Sequence, residues 1–136
     1  MSESTTVWRV MLRRGDCFCS PLVGPEPPGV IGKLGEVIKP KFGKLFCFSS
    51  EELALRWFAN VLPSGAYAVI EGEGKGVTKP TTLLPGLWEI QVWEEFWRRF
   101  PNKESVRVLL GNEFMQPPVG CLLVSEFKME KVLHQS

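Results

Sequence analysis

Apolar and polar residues change their spacing between residues 43 and 61, where the clearest elements of the chain are found. Four consecutive apolar residues at 45–48 predict a buried strand. The apolar residues that follow recur every three or four positions, which predicts a helix with one apolar stripe; they are Leu53, Ala54, Trp57, Phe58 and Val61. Ser49 and Glu52, which lie between the two runs, have the spacing of a helix capping box. This segment therefore predicts a strand that leads directly into a capped helix.

Apolar or alternating runs predict the other strands, which we place at residues 7–12, 17–19, 66–71, 106–110 and 119–132. In the last run, Phe127 and Met129 alternate with charged residues, as in an antiparallel strand with one face in water. Aromatic residues at helical spacing predict a second helix near residues 92–100, and the glycine-rich residues 72–76 predict a flexible hairpin or bulge. Together these patterns predict an α+β fold that is rich in β structure, with mostly antiparallel sheets and about two helices.

The length and the apolar content predict one domain spanning residues 1–136, because 136 residues with 44% hydrophobic content can bury a substantial core. Residues 1–6 are polar and are expected to be disordered. Residues 20–41 contain five prolines and four glycines. They predict a long loop with at most a short strand at residues 36–38.

The charge balance argues against a polyanionic partner. A net charge of +1, from 16 basic and 15 acidic residues, gives no field that favours nucleic acid or an anionic membrane surface. The four cysteines, at 17, 19, 47 and 121, include no pair with the two-residue gap of a zinc chelate, and His134 is the single histidine, so we predict no metal site. Without a signal peptide or a run of about 20 apolar residues, the chain is expected to be soluble and cytoplasmic, with reduced thiols.

Polar residues interrupt the apolar strands in the order Arg9, Ser49 with Ser50, and Glu113. This order resembles the Arg, Ser-Thr-Ser, Glu arrangement of ADP-ribosyltransferases. The resemblance implies that Arg9 contacts the phosphates of NAD, that the serines order the pocket, and that Glu113 supports the transfer. It also implies a cleft between the strand of Arg9 and the start of the helix at Ser49 and Ser50.

Two further segments are similar to branches of the same family. The run from Gly43 to Ser50, followed by Ala54 and Trp57, looks like the glycine, aromatic strand, serine and helix segment of the poly-ADP-ribose polymerases. Residues 112–118, which contain an acidic residue before a proline pair, are similar to the acidic segment that precedes the final strand in the toxin branch. By order of elements, the resemblance covers most of the chain.

The residue types also suit this chemistry on physical grounds. Cleavage of the nicotinamide glycosidic bond develops an oxocarbenium-like cation, which a carboxylate such as that of Glu113 can stabilise. Arginine binds phosphate oxygens with two parallel hydrogen bonds, which makes Arg9 a candidate for the diphosphate. Ser49 or Ser50 would orient the ribose. Aromatic candidates for stacking on the nicotinamide ring are Tyr67, Trp88 and Trp93.

Each of these residues also has a structural interpretation. Arg9 could belong to a surface ion pair, the serines could be helix caps, and Glu113 could lie in a solvated turn. Trp93 could be one of a stripe of core-facing aromatic residues. The interpretations are not resolved by the sequence alone.

Three functions therefore stay open. The first is a nucleotide-binding ADP-ribosyltransferase-like domain, with NAD as a substrate that it either cleaves or merely binds. The second is a non-enzymatic protein-binding or self-assembly module of a viral or mobile-element protein, in which the tryptophans and the proline-rich loop form an interface with a protein partner or with a second copy of the chain. The third is a relative that keeps the scaffold without the site.

Overall fold

The structure is a computed structural model of the chain, and it describes residues 4–20, 30–41, 43–61, 67–80, 84–85, 90–100, 102–111 and 114–135. The elements in chain order are β1 (Ser4–Arg14), β2 (Cys17–Cys19), β3 (Ile31–Gly32), β4 (Val37–Ile38), β5 (Leu45–Phe48), α1 (Glu51–Val61), β6 (Tyr67–Lys75), β7 (Leu84–Pro85), α2 (Ile90–Arg99), α3 (Lys103–Leu110), β8 (Phe114–Met115), β9 (Cys121–Val124) and β10 (Glu126–Gln135). The expected β-rich α+β class is confirmed, with one helix more than expected. No helix among the described residues combines the length and the apolar character needed to cross a membrane.

One eight-stranded antiparallel sheet organises the fold. Its main path runs β3-β2-β1-β6-β10-β4, and β5 joins β1 to β9. Residues 33–36 connect β3 to β4, so the two ends of this path are joined by a short turn. Thr78 and Leu123 also exchange backbone hydrogen bonds of 2.8 and 2.7 Å, which hold the chain after β6 alongside β9. The sheet therefore curls around its own interior.

Three apolar clusters pack against this sheet. The first fills its interior with residues from seven strands, including Val7, Met11, Ile70, Phe127 and Met129. The second lies under α2 and α3 and reaches β5 and β9, and the third lies under α1, against the outer side of β1, β5 and β6. Because side chains alternate between the two faces of a strand, the same strands serve the interior and the outer clusters.

The cap of α1 lies one residue later than predicted. The backbone N–H of Leu53 donates to Ser50 Oγ at 3.2 Å, which makes Ser50 the N-cap. The predicted capping box of Ser49 and Glu52 is therefore wrong: Glu52 instead accepts a hydrogen bond from Arg56 at 2.9 Å.

The predicted strand at residues 106–110 is also wrong, because these residues form the second half of α3. Asn102 Oδ1 accepts from the N–H of Ser105 at 2.9 Å and caps the start of the helix. Gly111, with φ +55°, ends it. Val106 and Leu110, four residues apart, are buried while Val108 is exposed, which is a helical and not a strand pattern.

Residues 72–75, predicted as part of a flexible hairpin or bulge, continue β6. The hairpin is wrong, and the register shift typical of a bulge lies in β10, between Met129 opposite Gly72 and Lys131 opposite Glu71. Gly72 and Gly74 are buried, and a Cβ on Gly72 would collide with the carbonyl oxygen of Lys128 and the ring of Phe127. A Cβ on Gly74 would lie 2.7 Å from the side chain of Val124. Glycine is thus required here for close approach of β10 and β9 and not for a turn.

Both segments that were expected to lack regular structure contain residues of the sheet. Residues 4–6, expected to be disordered, belong to β1, where Ser4 pairs with Lys75; residues 1–3 lie outside the described part of the chain. In the expected loop, the predicted strand at 36–38 is confirmed as β4, and β3 was not predicted. Residues 21–29 of that loop and residues 86–89, which precede α2, are not among the described residues.

Candidate functional site

Arg9 lies inside the curled sheet. It occupies β1 between Val7 and Met11, and alternate residues of a strand share a face, so all three point into the first apolar cluster. Its side chain is buried, with the residue only 4% exposed. A surface ion pair, the structural interpretation of this residue, is therefore ruled out.

The Arg9 side chain occupies a fork between two strands. One edge of β1 pairs with β5 at Trp8 and with β2 from Leu12 onward. We call the gap between these two pairings the fork. Arg9 Nη1 donates to the carbonyl oxygen of Phe46 on β5 at 2.7 Å, and Nη2 donates to Ser20 Oγ at 2.9 Å. The guanidinium thus connects the two neighbours of β1 where the backbone ladder does not.

Ser20, directly after β2, forms the β2 side of the fork. Its Oγ also accepts from the N–H of Val30 at 3.1 Å, and its own N–H donates to the carbonyl oxygen of Val30 at 3.0 Å. Ser20 is 5% exposed. Three hydrogen bonds therefore fix this serine between Arg9 and the residue that precedes β3.

The charge of Arg9 has no counter-ion in the described part of the chain. Among the described residues, none of the ion pairs includes Arg9, and its buried Nε–H has no hydrogen-bond acceptor. Burial lowers the pKa of Arg9, and the nearby Cys47 and Cys19 thiols act in the opposite direction. An arginine in a protein nevertheless keeps its proton.

The thiols beside Arg9 do not supply the missing negative charge. Burial raises the pKa of Cys47 to about 12, although Arg9 acts to lower it, and burial also raises the pKa of Cys19. Both thiols are therefore neutral near pH 7. A buried ion is costly unless an opposite charge and hydrogen bonds accompany it, so Arg9 is the described residue that points most directly to an anionic ligand.

The predicted cleft beside α1 does not receive the Arg9 side chain. α1 packs on the face of β1 that carries Trp8 and Val10, and Arg9 points to the opposite face. Strand alternation is the physical reason, because a neighbour in sequence points the other way. The sheet thus lies between the Arg9 guanidinium and the start of α1, and this part of the prediction is corrected.

The two serines at the start of α1 have local roles. Ser50 caps the helix, and the N–H of Ser49 donates to the carbonyl oxygen of Gly120 at 2.9 Å. Ser49 is exposed. Tyr67, at the start of β6, is half-buried and packs against the third cluster, on the α1 side of the sheet.

Trp93 is an aromatic candidate that the structure describes, and it lies away from Arg9 in the second cluster. Trp93 is 3% exposed and sits among other rings, with centroid distances of 5.4 Å to Phe46 and 5.6 Å to Phe96. This position matches its structural interpretation as a core residue. Trp88 and Glu113 lie outside the described residues, so stacking by Trp88 and catalysis by Glu113 stay predictions.

Sequence reasoning missed Ser20. The signal was available in the alternation of β2, since Phe18 belongs to the interior cluster and residue 20 shares its face. A polar residue at an inward position next to a proline-rich segment is unusual enough to be singled out. Its pairing with Arg9, 11 positions away, required the fold.

The arrangement can bind an oxyanion, since it offers a fixed cation, a free N–H and a hydroxyl in one place. Among the described residues, no group of three His, Cys, Asp or Glu side chains is arranged to hold a metal ion. Comparison with protein-family models, with curated proteins and with solved structures finds no match to this chain.

Proposed function

We propose that this protein is an ADP-ribosyltransferase-like domain that binds a nucleotide-type ligand, with Arg9 as the partner of a phosphate group. The observation that supports the proposal is the buried guanidinium, whose Nε–H has no acceptor and which has no carboxylate partner among the described residues. Phosphate oxygens suit it, because the planar guanidinium can bind two of them in parallel.

The ligand's phosphate reaches Arg9 at the fork and not beside α1. The gap between β5 and β2 is where Arg9 lies next to Phe46 and Ser20, and both of those hydrogen bonds go to neutral acceptors. A phosphate there would compensate a charge that the interior otherwise carries alone, and compensation of a buried charge strengthens binding. This position replaces the cleft that the sequence predicted.

Binding is tested by thermal unfolding with NAD and with ADP-ribose at constant ionic strength. A ligand held only by the folded state, at about 100 times its dissociation constant, adds about 2.7 kcal/mol to the free energy of unfolding, so the midpoint rises by several degrees. We expect Arg9→Gln to abolish the rise and Arg9→Lys, which keeps the charge, to retain part of it. Arg13→Gln is the matched control, because Arg13 is an exposed arginine of the same strand. An unchanged midpoint for the wild type with both ligands would refute the proposal.

Catalysis is a separate part of the proposal and is assigned to Glu113. Its carboxylate would stabilise the cation that forms when the nicotinamide bond breaks. The test follows nicotinamide release from NAD by wild type and by Glu113→Gln. Release by the wild type alone supports a transferase or hydrolase; binding without release supports a domain that only binds the nucleotide.

A second candidate function is self-assembly, and a specific observation favours it. Ile31, Leu34 and Val37, which lie within seven residues of one another, are 48%, 46% and 55% exposed. Clustered exposed aliphatic side chains are typical of interfaces. If the wild type sediments as an oligomer, we expect Val37→Asp to lower its measured mass toward that of the monomer. Val108→Asp, at an exposed valine on α3, is expected to leave the mass unchanged. A wild-type chain that sediments as a monomer up to about millimolar concentration contradicts self-assembly.

A further inference from the structure

We infer that Ser20 is a second anion-binding residue of the same site, and that its hydroxyl donates to the oxyanion that Arg9 binds. The inference rests on the proposed function, since it assigns a role toward the same ligand. No residue near position 20 was a candidate from the sequence.

The hydroxyl of Ser20 can make one further hydrogen bond. A serine Oγ accepts through two lone pairs and donates one proton. Both acceptor positions of Ser20 are occupied, by Arg9 Nη2 at 2.9 Å and by the N–H of Val30 at 3.1 Å. The only bond left for Ser20 Oγ to make is therefore a donated one. Within the described ranges, the O–H of Ser20 meets no acceptor.

The two free donors, on Arg9 and Ser20, lie next to each other. The unpartnered Nε–H belongs to the same guanidinium that donates a hydrogen bond to Ser20 Oγ. The free N–H and the free O–H therefore lie on two groups that are hydrogen-bonded to each other. Both residues are more than nine-tenths buried. Buried donors without acceptors are costly, and an oxyanion with two oxygens satisfies both at once.

The charge of the site indicates the ligand class. Arg9 is the only buried charged side chain among the described residues, and the thiols of Cys19 and Cys47 beside it are neutral. One buried cation suits one oxyanion group, because a second oxyanion group there would lack a cationic partner. The site thus takes a single oxyanion group, such as one phosphate of a nucleotide, with the rest of the ligand outside it.

The experiment compares inorganic phosphate, AMP and NAD by titration calorimetry at constant ionic strength. Loss of a hydrogen bond to a charged group corresponds to about tenfold weaker binding, so Ser20→Ala is expected to weaken binding of AMP about tenfold. Ser20→Thr, which keeps the hydroxyl, is expected to stay within about threefold of wild type. Ser125→Ala is the matched control, because Ser125 is a serine whose hydroxyl donates to a backbone carbonyl far from this site.

A second measurement on the wild type covers the case in which Ser20→Ala does not fold. During a phosphate titration followed by proton-nitrogen NMR, the Arg9 Nε–H and the Val30 amide signals are expected to shift together and to saturate, since Val30 is bonded to Ser20 Oγ. Binding of AMP by Ser20→Ala as tight as by wild type, or a shift of the Arg9 signal alone, overturns the role of Ser20 and leaves the proposed function intact. If the wild type binds none of the three ligands, the proposed function itself fails.

Discussion

Arg9 is buried because of the curvature of the sheet. From the sequence it is a polar interruption of an apolar strand, and such residues usually face water. In the fold it points inward with Val7 and Met11, because the neighbouring strands curl over that face. Its burial depends on strands that lie far along the chain, so no local pattern could have predicted it.

Buried thiols around Arg9 make stability depend on pH. Burial raises the pKa of Cys47 from 9.0 to about 12. The unfolded thiol ionises first as pH rises, so the folded state retains a proton that the unfolded state loses, and stability falls between these two pKa values. We expect the loss of unfolding free energy between about pH 8 and about pH 10 to be about 1 kcal/mol smaller in Cys47→Ala than in wild type.

Urea unfolding at both pH values measures this difference. Cys17→Ala is the control, because Cys17 lies at the partly exposed start of β2 and the buried thiols remain in that variant. Equal losses in Cys47→Ala and wild type would show that the Cys47 thiol ionises as readily in the folded chain as in the unfolded one.

At the scale of elements, patterns that extend over a whole turn or strand were more informative than single residues. The strand at 45–48 and the helix after it are present as predicted, since the continuous apolar run and the helical spacing after it agree with the local signals there. The pattern of α3 favours a strand because the helix has only eight residues and its second half is mostly apolar. Asn102 before it and Gly111 after it are the cap residues that identify a helix, and weighing them would have corrected the assignment.

The start of α1 provides a test that separates two adjacent serines. Ser50 accepts from the N–H of Leu53, whereas no such bond is made by the Ser49 side chain among the described residues. We expect Ser50→Ala to lower the free energy of unfolding by about 1 kcal/mol, as loss of an N-cap does. Ser49→Ala should lower it by less than about 0.5 kcal/mol, as surface substitutions do. Urea unfolding of both variants checks the order, and a larger effect at Ser49 would return the cap to the position expected from the sequence.

The glycines of β6 provide a second test at this scale. A methyl group on Gly72 would meet the backbone of Lys128, which cannot move without opening the sheet. We expect Gly72→Ala to destabilise the fold by about 3 kcal/mol, since overpacking against backbone is poorly relieved.

Gly111→Ala is the comparison for Gly72→Ala. No atom lies within 4 Å of its added methyl group, and only its positive φ opposes the change. We expect a smaller cost there, of about 2 kcal/mol, because φ +55° with ψ −114° is a backbone conformation that residues other than glycine rarely adopt. Thermal or urea unfolding measures the loss of unfolding free energy in both variants. A small loss in Gly72→Ala would mean that β6 and β10 are further apart than described.

At the scale of the whole molecule, the sheet links all three apolar clusters. β5 sends Leu45 and Cys47 to the interior, Phe46 to the cluster under α2 and Phe48 to the cluster under α1. The order of most elements was predictable from the sequence. The closure of the sheet was not, because it depends on β3, β4 and the bridge at Thr78, which are too short to leave a pattern.

This shared strand predicts cooperative unfolding as one domain. Far-ultraviolet circular dichroism follows the sheet, and tryptophan fluorescence follows the two outer clusters, which contain Trp93 with Trp97 and Trp8 with Trp57. We expect the two transitions in urea to coincide, as they do for single domains of this size. A fluorescence transition that precedes loss of the sheet signal would show that an outer cluster unfolds independently of the sheet.

The position of β10 has a consequence for synthesis of the protein. β10 lies between β6 and β4 and contributes Phe127 and Met129 to the interior, yet it comes after the other nine described strands along the chain. A nascent chain that has emerged only as far as β9 lacks an inner strand, and exposed strand edges of this kind favour aggregation. A partly translated chain that ends before β10 is therefore the state in which a chaperone would matter most.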